Sequence, residues 1–247
     1  MNNENTTKGV FSPMIVCTDA IVLHSRRFGD TSRIVVLYTE VLGKISVVAK
    51  GVRKPTSPMG GALEPLSHSR ITVYHNKNRE LHVVSVAEQI TRRQRLMSSY
   101  EHLSAAMLLT ECVLRTQADN QPEVQVYEML RKGLEALEGA DEPYGVAVGS
   151  RLHLAELMGF GLPYADAVQR EEPVSVSPED GIPRGSEAQG IHMSGMAYAM
   201  MHAYGLQLEH SALATESLRA EIESFLTLYF SHHLDRRIVS RSFDVLR

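Results

Sequence analysis

The chain has 247 residues, 43% of them hydrophobic and 22% charged, with a formal net charge of −4. This is enough for one large domain or two ordinary ones of globular composition, and no apolar run approaches the ~18 residues of a membrane span. The opening "MNNENTTKGVFSPM" (1–14) has no apolar core of a signal peptide, and two cysteines, Cys17 and Cys112, make neither a disulfide framework nor a tetrahedral zinc site alone.

These features place the expected compartment in the cytoplasm and make residues 1–14 a polar lead-in. Both cysteines have apolar neighbours and are expected to be buried, unreactive thiols. The net charge conceals an asymmetry. Residues 1–100 hold 14 Lys and Arg against 7 Asp and Glu, whereas residues 101–247 hold 11 against 22. A front half at +7 joined to a rear half at −11 points to a polyanion meeting the front half.

The front half reads as β. "TDAIVLHSRRF" (18–28) and "TSRIVVLYT" (31–39) are rich in β-branched residues and are separated by the turn signal Gly29-Asp30. In "KISVVAKG" (44–51), Ile45, Val47 and Ala49 point one way and Lys44, Ser46 and Lys50 the other, with Val48 the exception. "SRITVYHN" (69–76) and "LHVVSVAEQI" (81–90) follow, flanking the polar turn "NKNRE". Five short strands in this span predict a small closed antiparallel barrel over 15–93. An OB-type barrel is the natural candidate; an SH3-like barrel fits the strand pattern too.

The rear half, 94–247, reads as a helical domain. Apolar residues recur at helical spacing in 97–117. The next helix is expected to start at an Asp119 or Asn120 cap with Pro122 in its first turn and to run to Gly139. A third runs from about Asp141 to the "MGFG" of 158–161. Residues 163–190 hold four prolines and no sustained period, and are expected to be a long loop or a degenerate small subdomain. Helices over 194–204 and 215–234 complete the chain.

The sequence has no phosphate-binding loop, nucleophile elbow or HExxH motif. Its histidines match no common metal-ligand spacing and are expected on helix surfaces or in caps. The expectation is therefore a binding protein, not an enzyme, with no cofactor and no metal. Arg26, Arg27, Arg33, Lys44, Lys50, Arg53 and Lys54 fall on strand ends, strand outer faces and one loop, which a barrel would gather into a stripe. Each contact with a phosphate adds roughly one unit of salt slope, so four to six contacts give steep, sequence-independent binding. With few aromatic residues in 1–100, base stacking is expected to be a minor term and single strands and duplex to be bound alike. In "AKGVRKPTSPMGGALEP" (49–65), Gly51, Gly60 and Gly61 permit bending and Pro55 and Pro58 restrict it, which predicts a mobile clamp for a sugar-phosphate backbone.

The stretch from Ala20 to Pro65 resembles the N-terminal barrel of the RecO family of bacterial recombination mediators. It supplies Ala20, Leu23, Gly29, Arg33, Gly43, Ala49-Lys50-Gly51, Arg53, Gly61, Leu63 and Pro65 of the patterns "AxVL", "xxxGExxRxVxLFTxxxG" and "AKGxR…xxGxLxPF", with Asp30 for Glu and Leu66 for Phe. "SRLHLAELMGFGLP" (150–163) and "LYFSHHLDRRIVSRSFDVL" (228–246) resemble the later patterns "RxFELxLLxxLGYxP" and "xYLxxHLGxxLKSRxFL". Many members carry a four-cysteine zinc site within 163–190. This chain has no cysteine there, so no zinc is expected.

The resemblance implies an OB barrel followed by a helical domain, and binding of single- and double-stranded DNA. It also implies annealing of complementary strands, and action with RecR in loading RecA onto DNA coated by single-stranded-DNA-binding protein. It further implies a site on the helical domain for the acidic C-terminal tail of that coating protein, which needs a cation beside an apolar pocket. Arg151 matches the family's arginine in this region; Arg115, Arg131 and Lys132 are further candidates. The competing reading is an interaction scaffold whose barrel grips an acidic protein surface.

Overall fold

The computed structural model describes residues 14–163, 172–205 and 215–234. The N-terminal lead-in up to residue 13, the stretch 164–171 and the end motif beyond Leu234 lie outside the described residues. The chain divides into two compact units between Arg92 and Arg93.

The first unit contains β1 (Met14–Phe28), β2 (Ser32–Thr39), β3 (Gly43–Ala49), β4 (His68–His75) and β5 (Leu81–Thr91). These close into a barrel of order β1-β2-β3-β5-β4, with β4 returning to β1. All neighbours are antiparallel except β3 and β5, which run parallel. This is the OB-type arrangement, in which closure removes the edge strands that would otherwise pair with other chains.

Period-two alternation fills the interior. Ala20 and Val22 meet Val35 and Leu37, Ile45, Val47 and Ala49, Ile71 and Val73, and Val84 and Ala87. The alternation also corrects the expectation for one cysteine. Cys17 sits between the inward-leaning positions of β1, opposite Thr72 on the outer face, and is exposed. Cys112 is buried, and burial pushes its thiol up to about 12.

A bulge interrupts the parity of β1. Val22 pairs with Leu37 but His24 with Val36, so Leu23 is the extra residue. Beyond it the faces exchange: Ser25 and Arg27 fall on the side of inward-facing Val35, while Arg26 and Phe28 face outward.

The segment between β3 and β4 is not the mobile clamp expected from its glycines and prolines. Val52, Ala62, Leu63 and the partly buried Met59 pack into the barrel core. A single 3-10 turn at Gly61–Leu63 carries two of these residues inward. The Ser67 and Ser69 hydroxyls donate to the carbonyls of Gly61 and Ala62 at 3.0 and 2.7 Å. Of the three glycines only Gly51 has positive φ, at 67°, where an L side chain is strained. Burying four apolar side chains outweighs the backbone freedom that Gly-Pro composition provides.

The second unit contains α1 (Gln94–Ser98), α2 (Tyr100–Thr116), α3 (Val124–Gly139), α4 (Pro143–Leu157), α5 (Gly195–Gly205) and α6 (Glu216–His233). The single helix expected over 97–117 is broken at Ser99, which is extended and caps α2. His102 Nε2 donates to the Ala140 carbonyl at 2.9 Å, leaving Nδ1 to accept from the Ser99 hydroxyl at 2.8 Å. That histidine ties the start of α2 to the end of α3. Helix α3 is capped by Glu123, three or four residues later than its Asp119 or Asn120 cap signal implied, because Asn120 takes a left-handed turn conformation (φ 58°).

Helix α4 is the central element of this unit and is lined with small residues. A Cβ at Gly149 would meet the Tyr204 carbonyl oxygen at 2.5 Å, so α5 approaches only because none is there. Within 163–190, expected to be a long loop or a degenerate small subdomain, and continuing to Met193, lies a three-stranded antiparallel sheet. Its strands are β6 (Val174–Val176), β7 (Pro183–Gly185) and β8 (Ile191–Met193), in the order β7-β6-β8. Its turn is held by Arg184 on Asp180 at 2.8 Å, which keeps that carboxyl below the usual carboxylate range. Among the described residues no three His, Cys, Asp or Glu side chains come together as metal ligands.

Candidate nucleic-acid interface

Six of the seven cations in the expected stripe gather at one end of the barrel. The end of β1, the start of β2 and the exit of β3 lie at the same rim because both pairings are antiparallel. They bring with them Arg26 and Arg27, Arg33, and Lys50, Arg53 and Lys54. Lys44 stands at the opposite end of β3, paired with Tyr38. At ~3.3 Å per residue it lies about 20 Å from Lys50 along the strand. The structure therefore separates Lys44 from the stripe.

Arg27 and Arg33 are directly opposite each other in the β1–β2 ladder. Like charges in this relationship, with Cβ atoms about 5 Å apart, destabilise a sheet. One of the two is partly compensated: Glu64 contacts Arg33 at 2.7 Å. Arg53 serves the architecture as well as the charge. One Nη donates to the Gly29 and Asp30 carbonyls at 3.2 and 2.9 Å, and its backbone N–H donates to the Thr31 carbonyl at 2.9 Å. The exit of β3 is thereby pinned to the β1–β2 turn. Lys50 and Lys54 are exposed, and the Lys54 stem runs over Gly51. Asp30 and Glu64 stand among these six cations.

The candidate cations of the helical unit are placed very differently from one another. Arg151, on α4, is buried and bidentate with Glu223 of α6, one contact being 2.7 Å; its Nε donates to the Ala147 carbonyl at 3.3 Å. Burial alone would lower this guanidinium, but the Glu223 charge and hydrogen bonds outweigh it and raise it above its ordinary value. Arg151 is therefore a core group rather than a docking cation, because an internal carboxylate already fills its fork. Arg115 is bound by Glu111 at 2.7 Å, and Arg131 by Glu128 and Glu135 at 2.8 and 3.2 Å. Lys132 is exposed and lines a cavity of about 840 Å³ together with Met129, Leu157, Tyr204, Glu128, Asp141 and Glu142.

The family profile described as "Recombination protein O N terminal" matches residues 14–93, and "Recombination protein O C terminal" matches 97–242. The chain belongs to the RecO family. Similar relatives include proteins named DNA repair protein RecO from three bacteria. That of Salinibacter ruber is 26% identical over 94% of this chain and 93% of its own length. That of Anaeromyxobacter dehalogenans is 29% identical over 90% and 93%. That of Heliobacterium modesticaldum is 31% identical over 69% of this chain and 61% of its own length.

The RecO motif positions now have physical reasons. Gly29, Gly43 and Gly51 sit at φ of 60°, 66° and 67°, turning the chain at strand ends. Arg33, Lys50 and Arg53 sit at the cationic rim, and Leu63 plugs the barrel. Sequence reasoning missed Glu223 as the partner of Arg151, since the two are 72 residues apart and neither position shows a periodic signal. It also passed over Phe28, which is 47% exposed at the same rim as the arginines.

Proposed function

We propose that this RecO-family protein acts in DNA repair and recombination by holding sugar-phosphate backbones on the rim of its barrel. It binds single- and double-stranded DNA there, anneals complementary strands, and works with RecR to load RecA onto DNA coated by single-stranded-DNA-binding protein. The observation that carries the reading is the clustering of Arg26, Arg27, Arg33, Lys50, Arg53 and Lys54 at one rim, with Arg27 facing Arg33 across the ladder. Glu64 compensates Arg33 in part, and a phosphate between the two arginines would remove the repulsion that remains.

The acidic tail of the coating protein is read onto the helical unit at Lys132, an exposed ammonium on a cavity whose wall mixes Met129, Leu157 and Tyr204 with the carboxylates of Glu128, Asp141 and Glu142. Arg115 and Arg131 remain secondary candidates, each with its charge shared with glutamates.

The test is oligonucleotide binding by the full chain across a salt series, with Lys50→Glu and Lys54→Glu combined. These two are chosen because Arg53 also holds the turn. Loss of binding at low salt, with the log–log salt slope of wild type well above that of the double variant, supports the reading. Equal binding by the two proteins rejects it. A wild-type affinity that barely changes with salt favours the scaffold reading, in which the rim grips an acidic protein surface.

A further inference from the structure

We propose that Phe28 is a base-stacking platform that makes the cationic rim prefer unpaired strands over duplex. The inference rests on the DNA-binding reading of the rim and adds to it a means of discrimination.

The ring is placed for this role by four features. It lies on the outer face of β1 with Arg26, two residues earlier, so a strand whose phosphate engages Arg26 brings its bases to the ring. It is 47% exposed although it is a large apolar side chain. The adjoining turn is open: nothing lies within 4 Å of the position a Cβ would take on Gly29. The turn is also fixed, because the Arg53 guanidinium binds the Gly29 and Asp30 carbonyls. An aromatic ring held beside backbone-binding cations stacks any unpaired base through its π-face, a contact that bases stacked within a duplex do not offer.

The other aromatic residues of the barrel do not compete for the role. Tyr38 is fully buried. Tyr74 is exposed but pairs with Ile15 near the start of β1, thirteen residues from Phe28. With phosphate contacts alone the rim would hold both kinds of DNA alike; a single ring adds a contribution only for single strands.

The experiment uses the full chain with Phe28→Leu and Phe28→Trp, an oligothymidine, the same backbone without bases, and a duplex of equal length. Because the chain contains no tryptophan, Phe28→Trp creates a single emitter at the site. Phe28→Leu is expected to lose about 5- to 150-fold in affinity for the oligothymidine, the range for one stacked base. Its duplex affinity and salt slope should remain those of wild type, which also shows that it is folded. Phe28→Trp should bind as wild type, with emission that changes on adding oligothymidine and not on adding the abasic strand. The proposal is overturned if Phe28→Leu binds oligothymidine within twofold of wild type. It is equally overturned if the variant loses single strand and duplex together, or if the tryptophan emission ignores the bases. If wild type itself binds neither form, it is the DNA-binding reading that fails, and this inference falls with it.

Discussion

Arg151 of α4 and Glu223 of α6 close on each other inside the helical unit, each side chain 6% exposed, as a bidentate pair between two helices. Breaking one side of such a pair leaves an uncompensated buried charge, at a cost of about 3–5 kcal/mol, whereas replacing both partners with apolar groups of similar volume is close to neutral. Glu223→Gln and Arg151→Met are each expected to lower the urea midpoint of the helical unit strongly. The double change Arg151→Met with Glu223→Leu should recover most of the loss. A double variant as unstable as the singles would show that the pair does more than compensate itself.

The separation of Lys44 from the other six cations makes a contrast that the sequence alone did not offer. Lys54→Glu should weaken oligonucleotide binding and reduce the salt slope by about 0.7–0.9 for each phosphate contact removed. Lys44→Glu, at the far end of β3, should leave affinity and slope near wild type in the same fluorescence-anisotropy series. A Lys44 effect as large as that of Lys54 would mean that nucleic acid spans the barrel lengthwise.

At the α4–α5 crossing, Gly149→Ala is expected to destabilise the helical unit by about 1–3 kcal/mol, because the added methyl meets a backbone carbonyl, which cannot rotate away. At Gly139, where a Cβ meets nothing within 4 Å, the same substitution should be close to neutral. Thermal melts of the two variants test the difference.

Acid should weaken the helical unit. Burial lowers the titration of His202, and burial followed by the neighbouring His232 lowers that of His233. A depressed histidine leaves the unfolded chain binding more protons than the folded one once the pH drops below about 6.5. Stability is thus fully present above that value and declines as the pH falls from it toward the folded-state values. Melting temperatures measured between pH 7.5 and 5.5 should fall, and the fall should be shallower in His202→Gln.

Much of the barrel was legible because its signal is local. The alternation of Ile45, Val47 and Ala49 against Lys44, Ser46 and Lys50 is a property of seven consecutive residues, and it places β3 correctly. What the sequence hid depends on partners far along the chain. The Leu23 bulge exists only relative to β2, and without it parity would have set Arg26, not Arg27, beside Arg33. The fate of Arg151 was decided by Glu223, in a helix whose register against α4 no short pattern reveals. The strands β6, β7 and β8 are three residues each, too short for a period to show. The reading of 49–65 as a mobile clamp failed for another reason. Gly and Pro report what a backbone is able to do, while Val52, Met59, Ala62 and Leu63 decide what it does.

That last feature changes the energetics of any encounter at the rim. The segment bearing Lys50 and Lys54 is also the floor of the barrel, so its backbone gives up its conformational entropy when the barrel folds rather than when nucleic acid arrives. What remains to be ordered on binding is a few long side chains, at about 0.5–1.5 kcal/mol each. On the proposed reading, a grip at this rim would be preset, and its release would depend on the ions around it more than on any movement of the chain.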